Sequence, residues 1–369
     1  MVVFIRDNEC FEPRVKNYLR FLEKNNVEYH VIAWNRSGTA EINENITYFQ
    51  RRAEYGKRIA NIPNKLFWMC FVVKEIFKHR KKCQAIHACD VDAVIPALLI
   101  GKLLRKKVIF DIFDWISSSN EKGIVYKLVD WLQNIAYKHS DAVIVCEDER
   151  KTQARSKNKR NKVLVLPNIP NVGELDNVTR DQIRDFRSAY SYTLSYVGVF
   201  DRDRGLEHLL ESVSKCPDVI LNIAGFGVLD ELVTEYSNDY SNICYWGRVD
   251  YSVEQSIMKE SDLIIAMYYL TNPVHKLAAP NKYYESLALG VPMVTTANTL
   301  VGSKVAKYDT GFVLDETADA LSALLLDEKL KELIKIKKNN CSETWKNVYC
   351  KYHDEFMHNE YMELLESGK

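Results

Sequence analysis

Tyr196-Val197-Gly198-Val199-Phe200-Asp201-Arg202-Asp203-Arg204-Gly205 starts as an apolar, β-branched run and stops at a charged turn closed by glycine. Residues 205–215 then follow a helical pattern, so the stretch reads as strand, turn and helix. Gly198 permits close backbone approach, and Arg202 and Arg204 set two guanidinium groups beside a helix N-terminus. Arginine forks and free helix N–H groups both favour anions, which suits a diphosphate. A charged turn in which the arginines pair with Asp201 and Asp203 is the plainer reading of the same residues.

The alternation continues on both sides. Downstream, 219–225, 243–249, 262–268 and 291–296 are strand candidates, separated by helical patterns near 227–240, 251–260, 281–290 and 317–338. Upstream, 2–5, 29–34, 85–88, 108–112, 142–146 and 163–166 are strand candidates, with helices near 13–26, 64–81, 92–105 and 123–140. Leu166-Pro167-Asn168-Ile169-Pro170-Asn171 interrupts the series with two prolines. The expectation is α/β, with two Rossmann-like, doubly wound parallel sheets facing a central cleft. The predicted divisions are a domain over 1–170, a linker over 171–192, a second domain over 193–340 and a terminal helical segment over 341–369. Ligands of such sheets bind beyond the carboxyl ends of the strands.

The chain has 369 residues, 47% of them hydrophobic, which supports two cores and excludes a disordered protein. Its nine cysteines are scattered with no CxxC pair, against the common zinc frameworks and in keeping with reduced thiols. The longest apolar runs, 66–73 and 263–270, fall well short of the roughly 20 residues a spanning helix needs. With no basic leader before the first strand, a cytoplasmic location is expected. The 50 basic and 50 acidic residues cancel, which disfavours a nucleic-acid binder. The cancellation hides a split: residues 1–190 hold 33 Lys+Arg against 23 Asp+Glu, and residues 191–369 hold 17 against 27. Arg51–Lys82 alone has ten basic residues around the apolar Leu66–Val73. It reads either as peripheral contact with an anionic membrane at the inner face or as a core helix with a solvated basic end.

Three further clusters follow strands in the second half. Ile223-Ala-Gly225-Phe-Gly227 is a tight turn without the third glycine of a dinucleotide site. Tyr245-Trp-Gly247-Arg248-Val249 could hold a nucleotide base or belong to an ordinary core. In Ala279-Pro280-Asn281-Lys282-Tyr-Tyr-Glu285, ending at Gly290, proline and glycine bracket a short helix with Lys282 and Glu285 on one face. A carboxylate there can bind a ribose diol and the lysine can reach phosphate; an i,i+3 salt bridge is the alternative. In the first half, Asp111 and Asp114 are candidates for a base or acceptor contact, or for capping the next helix. His87 reads as a core histidine. The DxD triplets at Asp201–Asp203 and Asp90–Asp92 lack a supporting ligand cluster, so no metal is expected.

In order and spacing, Gly198, Arg204-Gly205, Gly225/Gly227, Gly247-Arg248-Val249 and Glu285 with Gly290-Val-Pro292-Met-Val294 resemble the second domain of GT-B glycosyltransferases of family 4. More loosely, Glu12-Pro13-Arg14-Val15-Lys16, Ile86-His87-Ala88-Cys89-Asp90, Phe110–Asp114 and Pro167-Asn168 resemble that family's first domain. The resemblance implies a nucleotide-sugar donor, a UDP- or GDP-sugar, held by Gly198, Arg202, Arg204, Gly225, Arg248, Pro280, Asn281, Lys282 and Glu285. It implies a glycan or lipid-linked acceptor near Arg14, Asp90 and Asp114. Asp111, Asp114, Arg204 and Lys282 become the catalytic candidates, for retaining transfer without metal or cofactor in surface-polysaccharide biosynthesis.

Three departures bear on this. Leu277 stands where the family usually has a second glutamate, Phe113 where many members carry a histidine, and Arg6-Asp7-Asn8-Glu9 where a glycine-rich first loop is usual. Pro280/Lys282/Glu285 nevertheless matches a familiar variant form. Two other readings of the same fold stay open: an inactive glycan-binding or scaffolding subunit, and a nucleotide-sugar epimerase.

Overall fold

The computed structural model describes residues 1–9, 13–40, 43–53, 61–115, 123–154, 157–159 and 162–366. Glu12 and residues 54–60 of the basic stretch lie outside them. The chain folds into two units, Met1–Asn168 with His353–Lys369, and Ile169–Tyr352.

The first unit is built on β1 (Val2–Arg6), α1 (Pro13–Lys24), β2 (Tyr29–Asn35), β3 (Ile46–Gln50), α2 (Ile62–His79), β4 (Ala85–Cys89), α3 (Val91–Leu103), β5 (Lys107–Ile112), α4 (Ile124–His139), β6 (Ala142–Val145) and β7 (Val163–Val165). Its seven strands are all parallel in the order β3-β2-β1-β4-β5-β6-β7. β1 is buried along its whole length, as a central strand covered on both faces must be. Pro13 starts α1, where its missing N–H costs nothing, and Arg14, Val15, Tyr18, Phe21 and Leu22 form the buried stripe.

The second unit holds α5 (Asn177–Arg187), β8 (Tyr192–Phe200), α6 (Leu206–Ser214), β9 (Val219–Gly227), α7 (Asp230–Asp239), β10 (Ile243–Tyr245), α8 (Tyr251–Lys259), β11 (Leu263–Ile265), α9 (Asn281–Leu289), β12 (Met293–Thr296), α10 (Leu300–Tyr308), β13 (Gly311–Leu314), α11 (Ala318–Leu325) and α12 (Leu330–Thr344). Its six parallel strands run β10-β9-β8-β11-β12-β13, so both sheets reverse strand order beside their first strand. Such reversals are where open α/β sheets bind ligands. They direct attention to the loops after β1 and β4, and after β8 and β11.

Several sequence expectations change. β3, β13 and α10 are additional; the two strands are short and lie at sheet edges, where patterning is weak. The helical stretch 317–338 is two helices, α11 and α12. The expected linker 171–192 is ordered into the second unit. It contains α5, capped by the Asp176 carboxylate accepting from Thr179 N–H at 2.7 Å. The Asp176 N–H donates to Ser256 Oγ at 2.7 Å. The expected terminal segment 341–369 is divided, with 341–352 in the second unit and 353–369 in the first. In the first unit Phe356, Met357, Tyr361 and Leu364 are buried.

Candidate active site

The sequence places Arg202 and Arg204 together, and the structure separates their roles. Asp201 starts the turn after β8 by accepting from Arg202 N–H at 2.8 Å. Arg202 then extends into solvent and pairs with Glu207 on α6 at 3.0 Å, its side chain 75% exposed. Arg204 turns inward, its guanidinium 4.8 Å from the centre of the Tyr268 ring just beyond β11. Its nearest carboxylate, Asp203, lies 3.8 Å away, too far for a hydrogen bond.

Asp203 ties the two loops together. Its side chain accepts from Asn272 Nδ2 at 2.7 Å, and its carbonyl accepts from Tyr269 N–H at 2.9 Å. His275 sits 3.8 Å from the same carboxylate, with Nδ1 2.8 Å from the Tyr269 carbonyl. Burial, helped by Arg204, lowers the histidine pKa, so the ring is neutral at pH 7. The Asp201–Asp203 pair thus shapes a charged turn, as the plainer reading of the sequence had it; the tie from Asp203 to Asn272 and Tyr269 was not foreseen.

Lys282 and Glu285 sit one turn apart on α9, as their spacing requires. Lys282 Nζ donates to Glu285 Oε2 at 2.8 Å and lies 3.6 Å from Glu254 on α8. Burial works against its charge, yet Glu285 and Glu254 hold its pKa above the usual lysine range. Burial pushes the phenol of Tyr268 up, and the neighbouring charges of Arg204 and Lys282 pull it down. Both charges are thus felt at that residue, Arg204 by direct stacking on its ring. Pro280, in extended conformation, leads into α9, whose N-terminus has no side-chain cap. Glu285 does not face outward: it is 1% exposed, and its other oxygen accepts from Tyr251 Oη at 2.8 Å. Its place is beneath Lys282, so the expected open carboxylate for a ribose diol is absent from this arrangement.

Two glycines differ in the same way. A Cβ on Gly198 would meet nothing within 4 Å, leaving space for close approach. At Gly225 (φ +148°) it would lie 1.8 Å from the Gly198 carbonyl, so Gly225 serves β8–β9 packing and not ligand contact. Arg248 lies over the exposed Phe226 ring at 4.6 Å.

In the first unit, Asp111 is fully buried, and Arg14 grips it with two hydrogen bonds of 2.6 and 3.1 Å. Arg14 also donates to the Leu166 carbonyl at 2.7 Å and to Asn168 Oδ1 at 3.2 Å. His87 stands 3.3 Å from Asp111 and 3.0 Å from Tyr361 Oη, a core histidine with both nitrogens used. Burial opposes the charge on Asp111, but Arg14 and His87 hold its carboxyl below the usual carboxylate range. Asp111 and Arg14 were expected at catalysis and acceptor contact; both are instead consumed in a buried ion pair. His87, Cys89 and Asp111 bring ligand-type atoms within 4.8 Å of one another. A metal there would face the Arg14 guanidinium, so the donor set does not fit one.

Asp114 is the open carboxylate, with its side chain 84% exposed. Asp90 braces its loop: Oδ1 accepts from Phe113 N–H at 3.0 Å and Asp114 N–H at 3.3 Å, and Oδ2 accepts from Arg6 at 2.6 Å. The brace holds Asp90 at φ +64°, costly for a residue other than glycine. Arg6 also covers the Phe113 ring at 4.5 Å, and Arg150 donates to the Phe113 carbonyl at 2.6 Å. Sequence reading missed Arg6 and Arg150. A charge ending a fully apolar strand was the only signal for the first, and no motif marks the second.

Comparison with known proteins adds the following. A family model described as Glycosyltransferase Family 4 matches residues 12–171, and one described as Glycosyl transferases group 1 matches 191–327. The capsular polysaccharide biosynthesis glycosyltransferase CapM of Staphylococcus aureus is 23% identical over 350 residues, 87% of either chain. Among solved structures, a sucrose-phosphate synthase from Thermosynechococcus elongatus superposes with a TM-score of 0.70 at 16% identity, over 99% of both chains. Anabaena HepE in complex with UDP and glucose gives 0.70 at 12%, over 94% of both. WaaG, a glycosyltransferase involved in lipopolysaccharide biosynthesis, gives 0.69 at 14%, over 96% of this chain and 98% of its own.

Proposed function

The chain belongs to the group 1 and family 4 glycosyltransferases of the GT-B fold, and from that premise we propose that it moves a sugar from a nucleotide-sugar donor to a hydroxyl of a glycan or lipid-linked acceptor in surface-polysaccharide assembly. The observation that carries the donor reading is Arg204, turned inward over Tyr268 with its nearest carboxylate 3.8 Å away, beyond the strands where the second sheet reverses order. The bound UDP of HepE and the role of CapM in capsule synthesis support the donor class and the pathway.

In this reading the bond from the anomeric carbon to the diphosphate breaks, and charge grows on the leaving phosphate. Arg204, Lys282 and the uncapped N–H groups at the start of α9, that of Asn281 included, stabilise that charge without a metal, with Pro280 leading the backbone into the helix. Glu285 acts by orienting Lys282 and keeping it protonated. Gly198 leaves room for the donor, and Arg248 with Phe226 offers a surface for the base. The acceptor hydroxyl attacks from the face that the diphosphate leaves and gives its proton to the departing phosphate, so configuration is retained. Asp114, on the loop braced by Asp90, contacts the acceptor.

Peripheral membrane contact belongs to the same reading. Among the described residues, every large apolar side chain that the first unit exposes lies on α2, α3 or α4, helices that neighbour one another. They are Leu66, Phe67 and Phe77, then Leu99 and Leu103, then Ile124, Leu128 and Trp131. Exposed Lys74, Lys78, Lys102, Lys127 and Lys138 lie on the same helices, which suits an anionic lipid face.

The test is a panel of UDP-, GDP- and dTDP-sugars with lipid-linked acceptors, scored for nucleotide release and sugar transfer. Arg204→Ala is expected to lower turnover by roughly 10²–10³-fold. Unchanged nucleotide binding and turnover in that variant would remove the donor site from this position.

A further inference from the structure

We infer that the second unit carries a separate site for a diphosphate-class anion at the amino ends of its strands, away from the donor loops. A groove of about 740 Å³ is lined by Arg184 and Arg187 of α5, Lys331, Lys335 and Lys338 of α12, Tyr192 at the start of β8 and Asp262 just before β11. The donor loops leave the carboxyl ends of the same strands. β8 has nine residues, so its two ends are roughly 26 Å apart. The groove is within the size range of small-ligand pockets.

Its charge runs against its surroundings, because residues 191–369 carry ten more acids than bases. Lys331, Lys335 and Lys338 recur at i, i+4 and i+7, one stripe on α12. Arg184 and Arg187, three apart on α5, face the groove from the other side.

The acids present are already satisfied. Asp262 accepts from Arg187 at 2.6 Å, from Lys338 at 2.9 Å and from Thr193 N–H at 3.1 Å. Arg184 is held by Glu260 at 2.8 and 3.0 Å and lies 3.4 Å from the exposed Asp181. Among the described residues Lys331 and Lys335 are exposed and have no ion pair, although like charges at i,i+4 repel. A ligand bearing two phosphates relieves that repulsion along the stripe, while Arg184 and Arg187, held by Glu260 and Asp262, form the opposite wall. Soluble diphosphates and phospholipid headgroups share this chemistry.

The test uses the full chain. Inorganic pyrophosphate is titrated calorimetrically into wild type, Arg204→Ala, and the double variant Lys331→Glu/Lys335→Glu; each protein is also sedimented with vesicles of phosphatidylglycerol in phosphatidylcholine. The Arg204→Ala arm keeps this site distinct from the donor side. The expected result is an affinity for pyrophosphate, for the vesicles or for both that survives Arg204→Ala and weakens about tenfold or more in the double variant. Loss with pyrophosphate identifies a soluble ligand, and loss with vesicles alone identifies headgroups. Thermal melting, with Lys331→Gln/Lys335→Gln as a milder pair, checks that folding is unchanged. Neither probe binding to wild type, or equal binding by the double variant, overturns the assignment.

Discussion

Replacing Glu285 with glutamine separates the charge of this residue from its shape. In the wild type one carboxylate oxygen accepts from Lys282 Nζ and the other from Tyr251 Oη, both at 2.8 Å. The amide fits the same space with its oxygen toward Lys282 and its NH2 toward the tyrosine oxygen, so hydrogen bonding survives and the negative charge does not. Breaking a buried ion pair costs about 3–5 kcal/mol. Glu254, 3.6 Å from Lys282, still offsets part of the lysine charge. We therefore expect about 2–3 kcal/mol of lost stability, or roughly 5–10 °C in the melting temperature of a unit this size. The pair raises the lysine pKa in the folded state, so its stabilisation is fully present below the unfolded lysine value and is lost only as pH rises through the folded value. The difference between variant and wild type should therefore be flat across neutral pH and shrink in strong alkali. Urea unfolding measured at several pH values checks this, and donor turnover at low temperature checks the catalytic side. A loss below about 0.5 kcal/mol with unchanged turnover would refute both the burial of the pair and the orientation of Lys282 by Glu285.

Arg204→Ala should leave the melting temperature nearly unchanged, since among the described residues its nearest carboxylate is 3.8 Å away, while donor turnover collapses. Asp111→Ala should cost about 3–5 kcal/mol in unfolding experiments by stranding Arg14, whereas Asp114→Ala should stay within about 0.5 kcal/mol of wild type and raise the acceptor KM. Burial pushes the Asp90 carboxyl up to about 7 against the pull of Arg6. Its contribution is thus fully present below the unfolded carboxylate value and lost as pH rises through about 7, so Asp90→Asn should flatten the stability profile between about pH 4 and 7. Leu128→Glu with Trp131→Glu should weaken sedimentation with anionic vesicles and leave transfer to a soluble acceptor intact.

What was legible in the sequence was local. Tyr196–Gly205 announced a strand, a turn and a helix because hydrophobic pattern, turn residues and glycine agree within ten positions, and Pro280 to Gly290 bracketed α9 for the same reason. The family pattern then ordered those pieces. What could not be read is pairing across distance. Asp111 finds Arg14 97 positions away, and no spacing rule distinguishes a carboxylate committed to that pair from one free for catalysis. Asp114, three residues on, has the same composition and the opposite exposure. The Lys282–Glu285 spacing offered a salt bridge as one of two readings; the further fact that Tyr251, 34 residues before Glu285, seals the carboxylate was not in it.

The departures from the family pattern look different once neighbours are known. At the position where many relatives have an imidazole, the Phe113 ring lies against Arg6 at 4.5 Å and Arg14 at 5.3 Å. A histidine there would lose its proton readily beside two guanidinium groups; a phenyl ring instead accepts both through its face. Asp90 fixes the backbone on either side of that ring's peptide, and Arg150 its carbonyl. The loop is thus held by two arginines and a strained aspartate, and what it presents outward is Asp114. In the proposed reaction, phenylalanine at this position therefore goes with a reorganised loop and not with a dead one, since strain of the kind seen at Asp90 persists only where surrounding bonds hold it in place.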